Sequence, residues 1–142
     1  MFAAPALAAS PGPRTRGVTR EAQAVFAFGD SCVVSVDVTD AQMQVNRFCV
    51  DAASTVTTPL SDGDVTFTRD TARVAASATG WTVDLSWQAL AKPRTVPSHS
   101  RPRMVVRDAT AAVTGSITDG ITTAGPAQLM FADVATVTNR AG

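Results

Sequence analysis

The chain predicts an antiparallel all-β domain, a sandwich or barrel, and three observations carry that expectation. Short runs alternate apolar and polar residues with a period of two, turn dipeptides recur between the runs, and helix signals are almost missing. The clearest alternation is Trp81 to Leu90. There Trp81, Val83, Leu85, Trp87 and Ala89 share one face, against Thr82, Asp84, Ser86 and Gln88 on the other. Trp81 and Trp87 are the expected core anchors, since each indole buries a large apolar area.

Other strands are expected at Ala24–Phe28 and at Cys32–Val38, where even-numbered positions are apolar. Thr39 to Gln42 is a polar turn, so Met43–Val50 returns as the second arm of a hairpin. Two registers are open. If Val38 faces Met43, Val34 meets Arg47 and Cys32 meets Cys49; a one-residue slip places Val34 opposite Phe48, separates the cysteines and turns the returning strand over. Asp62-Gly63, Gly80, Asp119-Gly120 and Gly125-Pro126 separate further short strands at Val65–Arg69, Arg73–Ala78, Met104–Val106, Val113–Thr118 and Ile121–Thr123, with a long one over Ala127–Thr138.

Two segments stand outside this pattern. Residues 1–22 read as an extended arm, with the Pro-, Gly- and Arg-rich Pro11–Arg20 excluding regular structure, and residues 91–103 read as a basic, Pro-rich loop inserted into the single β domain of residues 23–142. Met1 to Ser10 are apolar but lack a basic start and contain Pro5, so they are read as part of the arm and not as a secretory signal. No apolar run is long enough for a membrane helix.

The 142 residues carry 12 basic and 12 acidic side chains, a neutral balance that argues against a nucleic-acid-coating protein. Locally the balance breaks. Arg14, Arg16 and Arg20 lie in the arm, and Lys92, Arg94, Arg101 and Arg103 lie in or beside the loop, in a stretch without acids from Asp84 to Asp108. Without interleaved aromatics for base stacking, these are expected contacts to copies of the same chain, where an Asp-rich surface can receive them. Two cysteines and one histidine are too few for a structural zinc site, and no phosphate loop, paired glutamates or metal-binding spacing is present, so neither metal nor cofactor is expected. Cys32 and Cys49 are left as either a disulfide or two reduced thiols.

Two resemblances to known families arise. Phe26 to Cys32 (FAFGDSC) resembles the first block of GDSL-type esterases, which implies Ser31 as nucleophile in a doubly wound α/β fold. That family supplies a histidine from a D-x-x-H block, whereas the single histidine here, His99, has Val96 three residues before it. The apolar run Val33-Val34-Ser35-Val36 after Ser31 also reads as strand, and a Gly-Asp-Ser turn is the preferred reading.

Val45 to Pro59, with a later strand at Gly80 to Leu85, is similar to tail-tube proteins of long-tailed bacteriophages in its aromatic strand, aspartate–serine turn, Thr-rich stretch and Trp-bearing strand. It departs from that family in its C-terminal part, and no insertion loop of the family's kind is identifiable. The resemblance implies a non-enzymatic subunit of a virion, in a tail tube, a decoration or a connector, that contacts copies of itself and other virion proteins through arm and loop. The alternative is a secreted β-sandwich binding module, for which a Cys32–Cys49 bridge would be evidence.

Overall fold

The computed structural model describes residues 17–96 and 104–139, and they form an antiparallel sheet curled into a half-barrel. Its strands are β1 (Gly17–Phe28), β2 (Cys32–Thr39), β3 (Gln42–Cys49), β4 (Ala53–Pro59), β5 (Val65–Phe67), β6 (Thr71–Ala78), β7 (Trp81–Ala89), β8 (Arg94–Val96), β9 (Met104–Thr118), β10 (Thr123–Ala124) and β11 (Leu129–Asn139). The order across the sheet is β4-β3-β2-β1-β11-β9-β7-β6-β5, with β8 and β10 also pairing β9.

β9 turns the sheet on itself. Its first half, Met104 to Thr110, pairs with β11, and its second half, Ala111 to Thr118, pairs with β7. One strand thus belongs to both halves of the curl. Gly115 lets the turning strand pack closely: its φ is +99°, and a Cβ there would lie 2.0 Å from the Asp84 carbonyl oxygen.

The concave face holds the core. Ala22, Ala24, Phe26 and Phe28 of β1, Val34, Val36 and Val38 of β2, and Met43 and Val45 of β3 face Ala72, Val74, Trp81, Val83, Leu85, Trp87, Val113 and Ile117 across it. Trp87, 1% exposed, ties the two halves through its indole, whose Nε1–H donates to the Gln23 carbonyl oxygen at 3.0 Å. A buried indole N–H needs such a partner, and this one lies on the opposite side of the curl.

Several expectations change at the boundaries. Gly17 to Arg20, expected in the arm, are strand, because Thr136 to Asn139 of β11 extend far enough to pair with them, and residues 1–16 lie outside the described residues. The 91–103 loop contains strand at Arg94 to Val96, laddered onto Val106 to Asp108. Met104–Val106 and Val113–Thr118 are one strand, and the Ile121–Thr123 strand shrinks to Thr123–Ala124 because Asp119 and Thr122 close a turn through Ile121. Edge strand β4 had no apolar alternation to announce it; its Thr-rich sequence suits a half-solvated edge, and Pro59 ends it. Of the arm and loop residues named above, Arg14, Arg16, His99, Arg101 and Arg103 lie outside the described residues.

Candidate interaction surfaces

The two ends of the half-barrel differ. At one end β1, β2 and β3 pair with Cys32 opposite Cys49, and the two sulfurs form a disulfide. In the next inward row Arg47 lies opposite Val34, with its guanidinium 4.7 Å from the Trp81 ring centre and 5.4 Å from that of Phe28. The rings are themselves 5.5 Å apart. Arg47 also pairs with Asp119, which accepts backbone N–H bonds from Ile121 and Thr122 at 2.9 and 2.7 Å. The Thr122 N–H first, then that of Ile121 and the arginine, hold the Asp119 carboxyl below the usual carboxylate range. A cation over two aromatic faces closes this end, with the charge neutralised.

Among the described residues the other end is cationic. Beyond the core row Ala109–Val134–Ala22, the next inward row is Arg107–Thr136–Arg20, and after it comes Val105–Thr138–Val18. Arg69 from the β5–β6 turn and Lys92 with Pro93 from the β7–β8 connection complete the rim of a cavity of about 520 Å³ that also touches Asp70. Among the described residues the ion pairs are Arg47–Asp119 and Arg73–Asp84, so Arg20, Arg69, Lys92 and Arg107 are all without one. Sheet curvature gathers them from four separate elements.

The convex face carries the opposite charge. Asp133, Gln23, Asp37 and Gln44 stand in one cross-strand row, and Asp108, Ala135, Glu21 and Thr39 in the next, with Arg94 at its end opposite Asp108. Burial pushes the Asp133 carboxyl up to about 7, and its hydrogen bond and repulsion with Asp108 push the same way. Asp37 is raised too, mainly by burial, against hydrogen bonds that favour its charge.

No family model, curated protein or solved structure matches the chain.

Of the cations expected to make contacts, the structure brings Arg20 and Lys92 together at the mouth and sets Arg94 on the convex side. Arg69 was missed, because it is distant in sequence from both basic segments. Arg107 lies in the same acid-free stretch as the loop cations, and only the strand pairing shows that it shares a row with Arg20. The acidic rows were missed as well: Glu21, Asp37, Asp108 and Asp133 are single acids in four strands, with no signal before the register is known.

Ser31 is exposed in the turn between β1 and β2, two adjacent antiparallel strands. A strand leading into a helix, as the esterase resemblance implies, is not what this all-β fold provides. Among the described residues no group of three or more Cys, His, Asp or Glu is placed to hold a metal, and no helix is long and apolar enough to cross a membrane.

Proposed function

We propose that this chain is a non-enzymatic structural subunit that assembles head to tail, the cationic mouth of one copy seating on the acidic convex rows of the next. The single observation that carries this reading is the separation of charge on a chain of zero formal net charge: cations with no ion-pair partner among the described residues rim a concavity, while carboxylates crowd a different face. Carboxylates held close together raise one another's pKa, and a cation brought against them relieves that repulsion. The two surfaces differ from one another, so the contact is heterologous and generates a ring or a filament.

A virion is the setting we propose for such an assembly. The similarity to tail-tube proteins in Val45 to Pro59 and Gly80 to Leu85, which fall on the β3–β4 hairpin and on β7, supports it. Light scattering and negative-stain electron microscopy of the full-length chain test the reading. Rings or tubes that dissociate as salt rises, and that do not form with Arg20→Glu/Arg107→Glu, are expected. A monomer at every salt concentration, or assembly indifferent to both arginines, would overturn it.

One observation favours a second reading, a secreted binding module: the Cys32–Cys49 disulfide, a bond typical of oxidising compartments. The mouth would then take an anionic ligand. Alkylation of thiols at the moment of lysis separates the two settings, since a bridge present only after export belongs to a secreted module.

A further inference from the structure

The convex face has a third region, at the end away from the mouth. Phe131 stands opposite Val25, and in the neighbouring row Ala27, Val33 and Phe48 stand side by side. Phe48 is 53% exposed and Phe131 46%, and Met130, at the bulge that shifts the β1–β11 register, is 62% exposed. Single exposed apolar residues are ordinary, but a contiguous set on two adjacent rows of one face is the mark of a surface that something covers.

We propose that this patch seats residues 2–9 of a neighbouring copy, the apolar start of the arm. The inference rests on the head-to-tail reading and names what the arm does in it. The order of residues on the two sides agrees. The arm runs from apolar Phe2, Leu7 and their alanine neighbours to Arg14 and Arg16, and the convex face runs from the apolar patch to the acidic rows.

Length agrees. Along β1 the patch at Ala27 lies four residues from the acidic row at Gln23, about 13 Å at strand rise. Leu7 and Arg14 are seven residues apart, a reach of up to about 25 Å in extended chain. The choice of a neighbour's patch over the chain's own follows from the head-to-tail reading. The arm joins β1 at Gly17, beside Val18 and Arg20 of the mouth, whereas the patch lies at the far end of the same strand. A mouth docked on the next copy's acidic rows therefore delivers its arm to that copy's convex face. Pro11 and Pro13 favour the extended conformation that the crossing needs. A short apolar segment binds weakly alone, but tethered to a docked mouth it acts at high effective concentration.

The test uses the full-length chain with p-benzoylphenylalanine in place of Leu7, mixing isotopically heavy and light copies before irradiation and mapping cross-links by mass spectrometry. Heavy–light links to peptides holding Phe48 or Phe131 are expected. Phe48→Ser/Phe131→Ser, which alters two exposed side chains, should abolish those links and raise the concentration needed for assembly by about tenfold or more. Links within one chain only, links to another surface, or links that survive the double variant would overturn the proposal. Its failure is distinguishable from failure of the head-to-tail reading. Loss of assembly with Arg20→Glu/Arg107→Glu but full assembly with Phe48→Ser/Phe131→Ser sinks the arm alone, whereas a full-length chain that never associates sinks both.

Discussion

Reducing the Cys32–Cys49 bridge should destabilise the fold by an amount that its position sets. The cysteines are 17 residues apart, and the loop they close spans one hairpin, β2 to β3. Chain-entropy arguments give a loss of about 10 cal/mol/K for a loop of that size, or about 3 kcal/mol at 25 °C. The hairpin lowers the figure. Thr39 Oγ1 accepts the Ala41 and Gln42 N–H groups, each at 3.2 Å, so the turn favours closure even in the unfolded chain, and about 2 kcal/mol is the expected net effect.

The assay is urea unfolding followed by tryptophan fluorescence, with and without a phosphine reductant, and on Cys32→Ala/Cys49→Ala. With a slope of about 2 kcal/mol/M the midpoint should fall by about 1 M. The folded reduced chain should keep β2 and β3 in register, because Val34, Val36, Val38, Met43 and Val45 still bury the same face. A midpoint shift below about 0.2 M would refute the loop-closure account. Unfolding on reduction would refute it in the other direction, showing that the bridge and not the apolar face selects the register.

Gly115→Ala should cost about 3 kcal/mol or more in thermal unfolding, since it adds a clash with Asp84 backbone to a positive φ, whereas Gly80→Ala, at positive φ but in open space, should cost less. Trp87→Phe keeps most of the apolar volume but loses the bond to the Gln23 carbonyl, and chemical denaturation should show a loss of about 1–2 kcal/mol. The folded chain keeps a proton on Asp133 up to about pH 7 that an unfolded carboxyl releases near 3.8, so stability from this group is greatest at the acid end and falls as pH rises between those values. Asp133→Asn should flatten that fall in unfolding curves taken from pH 4 to 8; an unchanged slope would remove Asp133 as its source. In the assembly assay, Arg107→Glu alone should weaken association more than Arg94→Glu, because only Arg107 lies at the mouth.

The all-β class was legible because alternation is local. Trp81 to Ala89 and Cys32 to Val38 show their buried faces within single strands, and Trp81 and Trp87 are indeed among the buried residues. The hairpin turn was legible for the same reason, but its register was not, since both registers satisfy the turn and differ only in which face of β3 is buried. The curl decides it. Met43 and Val45 pack on the concave side, which forces Cys49 opposite Cys32 and brings Arg47 to the rings of Phe28 and Trp81.

By itself the sequence determined most of the strand-forming segments, the turns between them and the two cationic stretches, because propensity, alternation and charge are written along the chain. Only the tertiary structure decided which charges act together. Glu21, Asp37, Asp108 and Asp133, far apart in sequence, share a face only through the pairing β2-β1-β11-β9, and Arg69 and Lys92 join Arg20 and Arg107 only where β9 carries the sheet around. The physical reason is that alternation fixes a side chain's face relative to its strand neighbours, whereas long-range pairing and curvature fix which strands share an end.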